Sequence, residues 1–377
     1  MNYKDKIDFS ILIPLIIFAL ISIVCIYSAS TYIPASQGNL ALKQAVWYLI
    51  GTILVIFIVK LKNKTIYQYT FILYIIGNIL LLALLLFAEP INSSKCWFTL
   101  PGIGSFQPSE FMKLILILVN ASLISDFKSR YNNPTIKDEF IFLLKSFSLF
   151  LIPSLLTFLE PDTGAVIIYL VIYLVTIFAS GIRLRWFLII IGIVVLFGGG
   201  ILTTYFINKD LFIKIFGTNF FYRLDRIFAW KTGSGLQLEN ALASIGSAGM
   251  FGHGFNKTPI YFPESGTDFI FAVYASNFGL LGSFLLIVLI LVFDIKVLFL
   301  TKKSVDNMDK YVIIGIVSML LFQQIQNIAM TIGLLPITGI TLPFISYGGS
   351  SLLSYMLIVG IILNISMEKK HKYKYKS

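Results

Sequence analysis

The sequence predicts an all-α integral membrane protein of about ten transmembrane helices, with a large extracytoplasmic loop between spans seven and eight. Three observations carry this reading. The 377-residue chain is 57% hydrophobic and 12% charged, against about 25% charged residues in soluble domains. Apolar runs of about 20 residues, the length that crosses a ~30 Å hydrocarbon core, recur along the whole chain. Between the seventh and eighth runs lies a polar interlude, residues 207–267, too long and too mixed in charge to sit in that core.

The predicted spans fall at 9–29, 45–61, 67–88, 107–125, 141–159, 164–180, 186–206, 268–294, 311–333 and 350–367. The first is longer than a signal-peptide core, and Ser28-Ala29-Ser30 resembles a cleavage site only loosely, so it is read as a span. Lys60, Lys62 and Lys64 mark the turn after the second. The fourth opens on Pro108, which suits a first helical turn. Only Glu160-Pro161-Asp162-Thr163 separates the fifth from the sixth, and the sixth is short. Arg183 and Arg185 precede the seventh, and Asp268 opens the eighth. Between the ninth and tenth, residues 333–351 are apolar but punctuated by Gly and Pro, so they cannot form one continuous helix. Broken backbone near a membrane is tolerated only when buried in protein or lining a cavity, and both readings stay open. A basic tail, 368–377, follows. Residues 1–377 read as a single polytopic membrane domain.

Lys and Arg set the orientation. With the N-terminus inside, 20 of the 29 basic residues fall on the cytoplasmic side, and short outer connections are nearly free of them. Both termini are therefore expected in the cytoplasm of a cell whose plasma membrane the chain crosses. The net charge of +11 is mostly this topology and not a nucleic-acid footprint. The tail anchors topology, or touches anionic membrane lipid. Cys25 and Cys96 are too few for a disulfide framework.

Polar chemistry gathers at four outer junctions. At the first, Glu110 lies in the first turn after Pro108 and shares a helix face with Lys113, three residues on. This is either a charge-neutralising helix start or an embedded cation that meets an anionic headgroup. At the second, Asp162 opens a span as an N-cap or as a site residue. At the third, Arg223 and Arg226 share a face if their segment is helical, and two guanidiniums suit a pyrophosphate. A solvated loop helix is the alternative. The fourth is Asp268, preceded by Gly246, Gly249, Gly252, Gly254 and Gly266, which let backbone turn and approach a ligand closely. An ionisable residue at a membrane edge is a functional-site hypothesis by default. A cap of span eight, by Asp268 or by Thr267, is its plain competitor.

These residues resemble the SEDS family (shape, elongation, division and sporulation), whose members are RodA, FtsW and SpoVE. The stretch from Trp97 to Lys113, with Phe106-Gln107-Pro108-Ser109-Glu110 and Lys113, is similar to the family's fourth-span motif. Pro161-Asp162-Thr163-Gly164 resembles its Pro-Asp-x-Gly motif. Pro263-Glu264-Ser265-Gly266-Thr267-Asp268-Phe269-Ile270-Phe271 and the run from Gly333 to Ser350 match closely. The resemblance covers essentially the whole chain, and the approach Asn327 to Gly333 leans toward the RodA branch.

The resemblance implies a peptidoglycan glycosyltransferase that polymerises lipid II into glycan strands for wall elongation and cell shape. It implies a class B penicillin-binding protein as transpeptidase partner, and a divalent cation, Mg or Mn, as a possible cofactor. By the same resemblance Asp268 carries the essential carboxylate, while Lys113, Glu110 and Asp162 belong to a conserved polar cavity. Asp268 is then expected to act as general base, with Lys113 and Arg223 or Arg226 on the pyrophosphate. Three positions depart from the pattern. Cys96 stands where Arg is usual, with Lys95 beside it as a substitute cation. Ile260 stands where some members carry an acid, and Ser276-Asn277 replaces an acidic pair. Two other readings remain open: a lipid II flippase, and a non-catalytic scaffold for a transpeptidase.

Overall fold

The computed structural model describes residues 8–30, 39–89, 95–100, 104–229, 236–303 and 307–374, and every predicted span is a helix. Helices α1 (Phe9–Ser30) and α2 (Leu40–Leu61) are followed by the short α3 (Asn63–Gln68) and by α4 (Thr70–Phe87). A hairpin of β1 (Phe98–Leu100) and β2 (Gly104–Phe106) pairs Phe98 with Phe106 and precedes α5 (Pro108–Arg130). It is the one element type the all-helical expectation lacks. Then come α6 (Ile136–Leu159), α7 (Thr163–Ala179) and α8 (Leu184–Ile207). The loop contributes α9 (Lys209–Phe216), α10 (Thr218–Ala229) and α11 (Leu236–Ser247). The last spans are α12 (Ile270–Leu298), α13 (Asn307–Thr331) and α14 (Gly349–Lys374).

Eight of these helices are long and apolar enough to cross a membrane. The other two predicted spans fail for different reasons. Helix α7 has 17 residues, about 25 Å at 1.5 Å per residue. Helix α5 is long enough at 23 residues but carries Glu110, Lys113, Asn120 and Asp126. Its polarity matches its place: Leu116 to Ala121 are buried on every side, because α5 packs against α4, α6, α7, α13 and α14. A helix buried all round can carry polar groups only if the protein supplies partners. Helix α8 is the opposite case. Of its 24 residues only Tyr205 is buried, so its apolar surface faces lipid all round.

Helix α12 is two helices in one axis run. It breaks at Gly279, whose φ of 67° and ψ of −164° are non-helical. The groups freed by the break bond to the segment after α11. Leu280 N donates to Gly249 O at 3.0 Å and Leu281 N to Met250 O at 3.1 Å, while His253 N and Gly254 N donate to Ser276 O and Asn277 O. Buried backbone polar groups need such partners. The approach is so close that a Cβ on Gly279 would lie 2.4 Å from Gly252 N, and one on Gly252 would lie 2.3 Å from Asn277 O. Gly252 therefore serves contact with another chain segment, the Gly279 break, where the sequence suggests contact with a ligand.

The second half of the Gly- and Pro-rich stretch between α13 and α14, residues 340–346, is largely buried in protein, while Leu334 and Gly339 are exposed. Ser22 Oγ donates to Ile345 O at 2.8 Å and Gln44 Nε2 to Ser346 O at 3.2 Å. Tyr48 donates to Phe344 O, and Gln326 Nε2 reaches Pro336 O at 2.9 Å. The Phe344 ring stacks on Phe18 and meets Phe293 edge-on. Cys25 and Cys96 are free thiols, both buried.

The Gly279 break makes a prediction. Gly279→Ala combines a left-handed φ with a backbone clash and should destabilise the fold by about 1–3 kcal/mol. Gly198→Ala, in α8 with nothing within 4 Å, should be neutral or stabilising by up to about 1 kcal/mol. Thermal unfolding of the two purified variants in detergent reads the difference.

Candidate functional site

The first-turn residues of α5 build one wall of the site. Lys113 Nζ donates to Glu110 Oε2 at 2.6 Å, with the lysine side chain fully buried and the glutamate 13% exposed. The pair is the i,i+3 pair the sequence predicts, but it sits in protein instead of at a solvated helix start. The ammonium also lies 5.5 Å from the centre of the Tyr355 ring on α14. Tyr355 accepts from Gln323 Nε2 at 2.9 Å, and Ser354 Oγ donates to Glu110 O at 2.8 Å. The lysine thus stays charged in an apolar surround because a carboxylate and a ring face hold it there.

Asp162 is the cap that one of its two readings expects, and its second oxygen has partners of its own. It is the N-cap of α7, with Oδ1 accepting from Ala165 N at 3.0 Å. Its Oδ2 accepts from Gln107 Nε2 at 3.0 Å and from Ser109 Oγ at 2.9 Å. One carboxylate therefore ties the start of α7 to the start of α5. Gln107 N in turn donates to Ser350 Oγ at 3.0 Å, which draws in the start of α14.

Asp268 lies just before α12, half-buried. The cap reading fails here. The N-cap of α12 is Phe269, which makes no side-chain cap bond, and the Thr267 hydroxyl donates to Glu264 Oε2 at 2.7 Å. Asn327 Nδ2 on α13 holds the Asp268 backbone, donating to Asp268 O and to Ile340 O, each at 2.8 Å. Ser346 Oγ donates to the neighbouring Thr267 O at 2.6 Å. The Asp268 carboxylate itself accepts no hydrogen bond among the described residues. Burial, and then the Glu264 carboxylate, push it up to about 7, where an acid serves as a base near neutrality.

Two glycines join the walls. A Cβ on Gly339 would lie 3.6 Å from Asp268 Oδ2, so the free carboxylate faces the Gly339 turn. A Cβ on Gly164 would lie 3.0 Å from Thr338 O. The Pro-Asp-x-Gly motif therefore abuts the same turn from the other side. A chain of contacts thus runs from Asp268 through the Gly339 turn to Gly164 and Asp162, and Asp162 joins it through Ser109 to the first turn of α5, which carries Glu110 and Lys113.

Not every predicted site residue joins it. Lys95 donates to Leu85 O at 3.2 Å, capping the C-terminal end of α4, where a cation is favourable. No contact brings it to Asp162 or Lys113. Arg223 and Arg226 lie on α10, and their side chains are outside the described residues. Cys96 is buried, with Sγ 2.9 Å from Glu160 O. Burial, then Asp162 and Glu160, push its thiol up, so it is inert as a nucleophile. The Ser276-Asn277 pair is knit into the loop: Ser244 Oγ donates to Ser276 Oγ at 3.0 Å, Thr258 Oγ1 to Asn277 Oδ1 at 3.1 Å, and Asn277 Nδ2 to Ser28 Oγ at 2.9 Å. Sequence reasoning missed Asn327, Gln107, Ser109 and Tyr355 as site residues. The signal was present for Asn327 and Tyr355, which are polar groups inside apolar spans.

A family model, that of the cell cycle proteins FtsW, RodA and SpoVE, matches residues 9–371. The chain is 31% identical to stage V sporulation protein E of Bacillus subtilis (strain 168), across 98% of this chain and 99% of that protein. It is 28% identical to the FtsW of Lactococcus lactis, named a probable peptidoglycan glycosyltransferase, across 99% and 95%. Among solved structures it resembles RodA of Thermus thermophilus, with a TM-score of 0.69 at 24% identity over 96% of this chain and 97% of that one. A chain of a peptidoglycan synthase complex that coordinates polymerization and crosslinking gives 0.77 at 24% identity, over 96% and 98%. Motifs, fold and sequence thus agree, and the chain belongs to the FtsW, RodA and SpoVE family of cell cycle proteins.

Proposed function

We propose that this multi-pass membrane protein is a peptidoglycan glycosyltransferase that polymerises lipid II at the outer face of the bacterial cytoplasmic membrane. The observation that carries the reading is the free Asp268 carboxylate, facing a glycine turn that Gly164 of the Asp162 motif also meets. The FtsW relatives' names support the reaction class. Both termini lie in the cytoplasm, on the distribution of Lys and Arg, which turns the Asp268 side of the bundle outward.

The reaction forms one glycosidic bond and breaks one bond to pyrophosphate. The acceptor sugar hydroxyl attacks the anomeric carbon of the donor, and its proton passes to Asp268. The bond from that carbon to the pyrophosphate oxygen breaks, and the leaving group takes the electron pair. Lys113 stabilises that developing charge as a preorganised cation, and Glu110 orients Lys113. Arg223 and Arg226 on α10 add charge from the loop. Lipid tails run between spans toward the surface α8 leaves uncovered. The partner is a class B penicillin-binding protein acting as transpeptidase, a role consistent with the fold's likeness to a member of a synthase complex. Among the described residues no three His, Cys, Asp or Glu side chains stand together to hold a metal. A divalent cation, Mg or Mn, would therefore depend on the substrate's own pyrophosphate for most of its ligands. No step here is routed through it.

The flippase alternative needs translocation without bond formation, and a vesicle assay that scores headgroup translocation apart from glycan synthesis separates the two. The scaffold alternative rests on the departures from the family pattern, and Ser276-Asn277 is fully bonded within the fold.

Four outcomes follow for the purified protein with its transpeptidase. Asp268→Asn should lower glycan synthesis by about 10²–10⁴-fold; full-length glycan at the normal rate would remove the base. In the wild type, kcat/KM should rise as pH increases through about 7, because the base works deprotonated, and the variant's residual rate should lack that rise. Lys113→Met should cost about 10²–10³-fold in kcat, against no change if the lysine only fills space. Chelation should slow the wild type and Mg or Mn should restore it; an unaffected rate removes the cation.

A further inference from the structure

Glu160 is a buried acid that the mechanism leaves unused. It is the C-cap of α6, fully buried, and among the described residues neither carboxylate oxygen has a hydrogen-bond partner. None of the ion pairs among the described residues includes it, and Lys113 is engaged by Glu110. Its surroundings are acidic or neutral. The segment before β1 contributes the Cys96 thiol, bonded to the Glu160 carbonyl and not to the carboxylate. Helix α6 contributes Thr157, whose hydroxyl is also unpartnered. Helix α7 contributes Asp162 and Tyr169. Helix α5 contributes Ser109, whose carbonyl accepts from the Tyr169 hydroxyl at 2.9 Å, and Glu110. Tyr169 lies within electrostatic reach of Asp162, Glu160 and Glu110 together.

Cys96 explains the orphan. Its side chain, the one bonded to the Glu160 backbone, is a neutral thiol, and Lys95, the nearest basic residue in sequence, turns away to Leu85 O. The position that would supply a cation beside Glu160 holds an inert thiol. An uncompensated carboxylate without solvent does not stay ionised; it keeps its proton.

We propose that Glu160 is an affinity-setting residue of the substrate site: protonated, it is silent, and ionised, it adds a charge to the Glu110–Asp162 wall that repels the substrate's pyrophosphate. The proposal rests on the glycosyltransferase reading for its substrate, and it predicts that this chain binds polyprenyl pyrophosphates less well on the alkaline side. Burial, and then Asp162, push the carboxyl up to about 8, which places the transition there. The same group links to stability. Its native value lies above the unfolded one, so the folded state binds the extra proton between the ordinary glutamate value and about 8. Stability therefore falls as pH rises through that window.

The test uses the full-length protein and a polyprenyl pyrophosphate as probe, with Kd measured at pH 6.5 and pH 9. Wild type should bind several-fold more weakly at pH 9, while Glu160→Gln, in which Asp268 alone of the two acids still titrates, should lose most of that difference. Cys96→Arg, which places a cation against the carboxylate, should shrink it likewise. Equal wild-type affinities, or a pH difference that survives undiminished in Glu160→Gln, would overturn the proposal. A second reading is independent of any substrate. Between pH 6 and 8.5 the thermal midpoint of wild type should drop more than that of Glu160→Gln, and identical drops would show that Glu160 does not titrate. If wild-type protein makes no glycan yet these midpoints diverge, the glycosyltransferase reading fails while the buried acid stands.

Discussion

One side-chain amide holds the site together. Asn327 Nδ2 donates to Asp268 O from the start of α12 and to Ile340 O from the broken segment between α13 and α14. Backbone without helical partners is very costly in an apolar surround. A single donor serving two such carbonyls fixes both strands of chain to α13 and to each other. The Gly339 turn then has to face the Asp268 carboxylate, and Gly164 has to meet Thr338. The side chain of Asp268 is left free because its backbone is held so firmly. A base needs that combination of fixed position and an unoccupied carboxylate.

The charges around that turn follow a rule of compensation. Lys113 is fully buried and ionised because Glu110 contacts it at 2.6 Å and the Tyr355 ring lies over it. Asp162 has three donors on its two oxygens. Charge-assisted bonds of this kind can hold a carboxylate in protein without a cation. The same three donors come from α5 and α7, so compensation of the charge and docking of the two helices are one event. Removing the carboxylate would loosen the bundle as well as the site, and this is why a cap and a site residue need not be alternatives.

Hydropathy alone made the ten spans legible, and their bounds shifted by only a few residues. It also exposed the Glu110–Lys113 pair, because a three-residue spacing on a helix has one outcome. What stayed illegible depended on tertiary contact. The hairpin at Phe98 to Phe106 is too short to register as alternation. The break at Gly279 lies inside an apolar run that reads as one helix, and only the segment from Gly249 to Gly254 packed against it reveals why a glycine is there. Asp268 looked like a cap because acids are good caps. The helix starts two residues later, at Ile270, so that rule had no purchase. Asp294 and Gln324 went unremarked inside their spans, yet they meet at 3.4 Å in the core.

The departures from the family pattern are of two physical kinds, and the structure separates them. At Ser276-Asn277 two neutral residues replace acids, and each polar atom finds a partner in Ser244, His253, Thr258 or Ser28. That exchange removed charge from a buried place and left hydrogen bonds behind, so the fold has nothing to correct. At Cys96 a neutral thiol stands where the resemblance implies a cation, beside a buried acid, and no described residue bonds either Glu160 oxygen. A loss of this second kind cannot be silent, since a buried carboxylate must either take up a proton or carry an unbalanced charge. Which of the two it does depends on pH, and the residue two positions along, Asp162, is the one that binds α5 to α7. The consequence of the uncompensated acid therefore falls on the contacts between α5 and α7 and not on the loop.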